Sequence, residues 1–184
     1  ERIFAHKLLL ERTISCPLSD NKLVIRDTIT NRGDTECPAM ILYHLNMGYP
    51  LLSEKAILKI PSIKVTPRNE RAAEGIDSWD KMLKPTACFE EQCYYHKFEK
   101  EGKAVLFNPE IGQGVEISFD ADNLKYFTEW KMMGERDYVL GLEPGNCTPD
   151  GRDKLRASGE LTILQPGESV TYEVSIRMLT ELSK

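Results

Sequence analysis

The sequence predicts an all-β fold, an antiparallel sandwich assembled from more than one sheet, and three observations carry that expectation. Short runs rich in β-branched and aromatic residues recur along the chain. Turn signals built on Gly, Pro, Asn and Asp separate them. The helical segments that would alternate with strands in a parallel sheet are missing from the pattern, and no fixed-period repeat points to a propeller or solenoid.

Lys7 to Ile14 leads through Pro17-Leu18-Ser19-Asp20-Asn21 into Leu23 to Thr30, where Leu23, Ile25, Asp27 and Ile29 alternate with Val24, Arg26, Thr28 and Thr30, so a hairpin is expected. After a turn at Asn31-Arg32-Gly33-Asp34, Ala39 to Asn46 is apolar enough to read as a central strand covered on both faces. Pro61 to Pro85 follows neither period and reads as an excursion over the surface, of the kind that lines clefts. Strand character returns at Phe89 to Phe98, Ala104 to Phe107, Val115 to Phe119, Tyr126 to Met132 and Tyr138 to Leu142, with turns at Glu101-Gly102 and Gly112-Gln113-Gly114. Pro144 to Arg156 reads as a loop, and Glu160 to Leu164 and Val170 to Leu179 as closing strands joined by Gln165-Pro166-Gly167-Glu168.

A length of 184 residues suits one β-sandwich domain spanning 1–184. With 41% hydrophobic and 29% charged residues the chain has the composition of a folded protein. A net charge of −5 argues against nucleic acid as partner, because phosphate binding draws on clustered Lys and Arg. No run is long and apolar enough to cross a membrane and Glu1 to His6 lacks the apolar core of a signal peptide, so a soluble, unexported protein is expected. Cys16, Cys37, Cys88, Cys93 and Cys147 form an odd set without CxxC spacing, so a reducing cytoplasm is the simplest setting.

Four stretches hold residues suited to chemistry. In Tyr43 to Pro50, alternation puts His44 and Asn46 on one face at the end of an apolar run, where an imidazole could move protons near neutral pH or simply bond a backbone carbonyl in the core. In Tyr138 to Asn146, Glu143 ends an apolar strand and Pro144 fixes the backbone after it. Burial would raise its pKa and make it a better base, whereas a purely structural Glu143 would pair with Arg152 or Arg156. Glu91 or His96 could bind a ligand hydroxyl from one side of Phe89 to His96, or lie on a solvated sheet face. Trp130 beside Lys131 suits the apolar face of a sugar rimmed by hydroxyls. No H-x-H or H-E-x-x-H spacing supports a metal, and no G-x-S-x-G supports a serine nucleophile.

Taken in order, Leu42 to Pro50, Glu90 to His96, Trp130 to Gly134, Gly141 to Asn146, Pro149, Gly151-Arg152 and Leu164 to Glu168 resemble the galactose mutarotase-like, aldose 1-epimerase-related family, above all a bacterial branch characterised by similarity. The resemblance implies an antiparallel β-supersandwich whose concave face binds a pyranose, or a derivative of one, and interconverts its anomers without a cofactor. It also implies that Glu143, as general base, takes the proton of the C1 hydroxyl while His44, as general acid, protonates the ring oxygen. By the same resemblance Glu91 would correspond to the family's sugar-contacting acidic position. Lys131, Asn146 and Arg152 follow the branch's pattern and would contact hydroxyls or an anionic substituent. A sugar-binding module or regulator with the same cleft and no turnover is the alternative.

Family members are about twice as long, and their amino-terminal half supplies further arginine and histidine residues. The resemblance therefore implies that this chain is a carboxy-terminal portion. On that expectation, the missing strands, or a second copy in a homodimer, would cover apolar sheet surface.

Overall fold

The structure, a computed structural model, describes residues 5–182. Its first half contains β1 (Leu8–Ser15), β2 (Lys22–Asn31), β3 (Cys37–Pro38), β4 (Leu45–Met47), β5 (Ile57–Lys59), β6 (Lys64–Pro67), the one-turn helix α1 (Glu70–Ala73) and β7 (Gln92–Lys97). The second half adds β8 (Glu101–Asn108), β9 (Gln113–Asp120), β10 (Tyr126–Met133), β11 (Tyr138–Gly145), α2 (Arg152–Ser158), β12 (Ile163–Leu164) and β13 (Ser169–Leu179). Every strand pairing is antiparallel, as expected of a galactose mutarotase-like sandwich.

Two sheets form the sandwich: a six-stranded one in the order β1-β2-β13-β9-β8-β5, and a five-stranded one in the order β4-β11-β10-β7-β6. Their facing sides bury one apolar core, to which the first contributes Ile29, Leu106, Ile117 and Val174 and the second Phe127, Met133, Leu140 and Leu142. Along each strand alternate residues point outward, following the period-two pleat. No helix among the described residues is long and apolar enough to cross a membrane.

The expected first hairpin forms, pairing Leu8 with Asn31 through Ser15 with Val24. Ala39 to Asn46 differs from expectation. Its regular part shrinks to β4 at the sheet's edge and an isolated bridge from Leu42 to Gly145. Asn146 explains the difference, because its side-chain carbonyl accepts from the Ile41 amide at 2.8 Å and its amide donates to the Ala39 carbonyl at 2.8 Å, so side-chain bonds replace a ladder there. The expected loop from Pro144 to Arg156 contains the end of β11 and most of α2. The closing segments do not pair with each other, since β12 joins β3 and β13 lies between β2 and β9. Glu101-Gly102 lies within β8 rather than in a turn.

Asp27, fully buried, ties the two sheets together at one corner. Arg12 on β1 donates to both its oxygens, Nε to Oδ1 and Nη2 to Oδ2, each at 2.7 Å. The Tyr43 hydroxyl, from the segment leading into β4, donates to Oδ2 at 2.8 Å. The Arg12 bonds hold the Asp27 carboxyl below the usual carboxylate range against the opposing effect of burial, and Tyr43 adds to them. A lowered folded pKa stabilises the native state above the unfolded value near ~3.9, and that contribution is lost as pH falls through the folded pKa. Asp27→Asn is expected to cost about 2 kcal/mol at neutral pH and to flatten the acid limb of the stability curve, measured by urea unfolding from pH 7 downward.

Candidate active site

The outward face of the five-stranded sheet carries the candidate site, and register places its side chains in rows. Leu45 pairs with Leu142 and Leu42 bridges Gly145, so His44 stands opposite Glu143. Glu143 in turn pairs with Thr128, and Thr128 with Tyr95. One row across four neighbouring segments therefore reads His44, Glu143, Thr128, Tyr95. The next row reads Asn46, Gly141, Trp130, Cys93. Between the rows lies a cleft of about 170 Å³ lined by His44, Glu143, Thr128, Trp130, Glu91 and Arg68, among others.

His44 Nε2 lies 3.0 Å from Glu143 Oε1, with side-chain exposures of 47% for the imidazole and 3% for the carboxylate. The approach is out of line for a hydrogen bond, and among the described residues Oε1 has no hydrogen-bond partner. Burial raises the Glu143 pKa; the charge of a protonated His44 opposes that shift and the Glu91 charge adds to it. Gly141 makes the arrangement sterically feasible. A Cβ there would lie 2.5 Å from Glu143 Oε1 and 3.2 Å from Trp130 Cβ, so the carboxylate folds back into space that only glycine leaves open.

The rim is held by charge. The Trp130 indole Nε1–H donates to Glu91 Oε2 at 2.6 Å and the ring stands edge-on to His44, centroids 5.5 Å apart. Arg68 Nη1 is 4.0 Å from Glu91 Oε1, while its Nε donates to Asp150 Oδ1 at 3.0 Å. Cys93 sits beneath Arg68, and burial pushes its thiol pKa up to about 11, which keeps it protonated and a poor nucleophile at neutral pH.

Of the residues singled out from sequence, the structure thus gathers His44, Glu143, Glu91 and Trp130 around one cleft, with Asn46 exposed on the same face. The others lie elsewhere. Strand alternation turns Lys131 away from its neighbour Trp130 and into the interior, where its ammonium donates to the Ser78 and Trp79 carbonyls at 3.0 and 3.2 Å. His96 is interior too, between Ser62 Oγ at 3.0 Å and Glu129 Oε2 at 3.1 Å. Asn146 is a buried structural bracket that also donates to the Tyr172 hydroxyl at 2.8 Å. Arg152 opens α2 on the exposed surface outside the cleft. The alternative partners for Glu143 are not used: Arg156 bonds Asp153.

Sequence reading missed Arg68 and Thr128. Arg68 comes from the excursion before α1, where Asn69 accepts from the Ala72 amide as an N-cap. That cap was a usable signal; Thr128 gave none. Among the described residues no group of three His, Cys, Asp or Glu side chains is placed to hold a metal ion.

The sequence profile of the family described as "Domain of unknown function (DUF4432)" matches residues 1–178. The chain belongs to that family. No curated protein matches it. Among solved structures, this DUF4432 chain is similar to a candidate aldose 1-epimerase from Klebsiella pneumoniae, at 26% identity and a TM-score of 0.91, over 97% of this chain and 48% of that one. It therefore spans about half the length of that relative. A candidate aldose 1-epimerase from Escherichia coli K12 shares 17% identity over 97% of this chain and 62% of that one, with a TM-score of 0.66. For a galactose mutarotase-like protein from Clostridium acetobutylicum the values are 16%, 94% and 56%, and the TM-score is 0.64. At these two identities the likeness is one of fold, and that fold is the galactose mutarotase-like sandwich.

Two measurements probe the site's geometry. Gly141→Ala forces the Glu143 carboxylate aside and is expected to destabilise the DUF4432 chain by about 1–3 kcal/mol. The second concerns pH. A raised Glu143 pKa stabilises the native state while the group is protonated, and this contribution disappears as pH rises through the folded value. Glu143→Gln should therefore gain stability relative to wild type as pH is raised from about 4 to 8, read from melting temperatures across that range.

Proposed function

We propose that this chain carries the acid–base pair of an aldose 1-epimerase, with Glu143 as general base and His44 as general acid acting on the hemiacetal carbon of an uncharged aldose. The observation that carries the reading is the 3.0 Å approach of His44 Nε2 to Glu143 Oε1 at the floor of the cleft. The two oxygens that exchange protons in anomerisation, the C1 hydroxyl and the ring oxygen, are both bonded to C1. Acid and base are therefore needed side by side in one row rather than on opposite sides of the ring.

Glu143 takes the C1 hydroxyl proton, the C1–O bond to the ring oxygen breaks as the C1 carbonyl forms, and His44 delivers its proton to the departing ring oxygen. Rotation about C1–C2 and reclosure return both protons and give the other anomer. Burial, which raises the Glu143 pKa, brings the base closer to the working pH. The indole of Trp130, fixed by Glu91, offers an apolar surface beside the pair. Arg68 is already engaged by Asp150, while Lys131 and Arg152 are outside the cleft, which favours a neutral sugar over one with an anionic substituent. A cleft of about 170 Å³ is below the ~300–1,000 Å³ of pockets for drug-sized ligands, as suits one partly exposed ring.

Anomeric exchange followed by NMR in freshly dissolved D-glucose and D-galactose tests the proposal. Wild-type protein is expected to accelerate exchange over buffer, and His44→Ala and Glu143→Gln to lose at least about 10²-fold of that acceleration while still binding sugar. Binding without acceleration in the wild type would instead identify a sugar-binding module.

A further inference from the structure

Among the described residues nothing satisfies the buried hydroxyl of Thr128. The residue is 1% exposed and its Oγ1 lacks a hydrogen-bond partner, although it lines the cleft. The carboxylate oxygen Glu143 Oε1, on the residue directly opposite in the β10–β11 register, also lacks a hydrogen bond, with His44 Nε2 beside it at 3.0 Å. Buried polar atoms in native proteins are paired as a rule, and two such orphans on cross-strand neighbours facing one cleft mark the place of an occupant with two adjacent polar groups. We infer that Thr128 is a specificity-determining residue whose hydroxyl reads the C2 hydroxyl of the sugar.

This rests on the acid–base reading above, and the order of residues supplies the argument. Across the sheet the row runs His44, Glu143, Thr128. Around a pyranose the groups run ring oxygen, C1 hydroxyl, C2 hydroxyl. With His44 at the ring oxygen and Glu143 at the C1 hydroxyl, the next side chain falls at C2. The C2 hydroxyl can donate to Thr128 Oγ1 or accept from it, and either bond removes the orphan. A 2-deoxy sugar leaves the Thr128 hydroxyl buried and unpaired, so the cleft discriminates against it.

The test is a cycle between protein and ligand, reading binding by tryptophan fluorescence and anomeric exchange by NMR for D-glucose and D-galactose, each against its 2-deoxy analogue. Wild type is expected to prefer the 2-hydroxy sugar by roughly tenfold. Thr128→Val should abolish the preference by weakening only the 2-hydroxy sugar, and Thr128→Ser should retain it. Thr128→Val keeps the β-branched shape and removes an unpaired hydroxyl, so its melting temperature should equal or exceed that of wild type. A valine variant that weakens both sugars equally, or keeps the preference, overturns the role of Thr128 and leaves the proposed function standing. Absence of both binding and exchange in the wild type overturns both.

Discussion

The candidate site depends on the hydrogen-bonding register of β4, β11, β10 and β7. Because the pleat has period two, a slip of one residue between any adjacent pair would exchange the faces: Leu142 would take the place of Glu143 and Glu129 that of Thr128. The register is pinned from the core side. Leu140, Leu142, Phe127 and Met133 are almost fully buried, and a slip would expose them to water. Each such side chain contributes about 1.5–3 kcal/mol by burial, so the apolar face fixes the alignment and the polar face inherits it. The site's precision is thus a by-product of core packing on the reverse of the same strands.

The reverse face also carries a cost. His96 and Glu129 share a hydrogen bond with both side chains fully buried, and among the described residues Glu129 Oε1 lacks a partner. Burial raises the Glu129 pKa despite His96 and Lys131 nearby, which favours the protonated carboxyl. Lys131 holds the Ser78 and Trp79 carbonyls, and so fastens the segment after α1 to the sheet. Arg68, just before α1, reaches the cleft from the same excursion. Polar groups inside the sandwich therefore brace an element whose other end forms the site's rim.

The sequence made legible what local alternation determines. The first hairpin, the strand that carries Glu143 and the shared face of His44 and Asn46 all follow from period two and turn residues. Trp130 and Lys131 look like a pair in the sequence because they are consecutive, although the same alternation sends consecutive strand residues to opposite faces. Asn146 is expected as a ligand contact only through its match to the branch's pattern, and the folded positions of Ala39, Ile41 and Tyr172 show which bonds it makes. Thr128 was silent for a related reason. An unpaired hydroxyl is defined by what its neighbours fail to offer, and that is a property of the assembled cleft.

Tyr43 adjoins His44 in the chain, and its hydroxyl is anchored on Asp27 of the opposite sheet. The imidazole is thereby indexed to a distant strand pair through a single phenol ring, with Arg12 as the counterweight. The outermost hairpin of the six-stranded layer is therefore joined, through Asp27 and Tyr43, to the residue that precedes the imidazole in the chain.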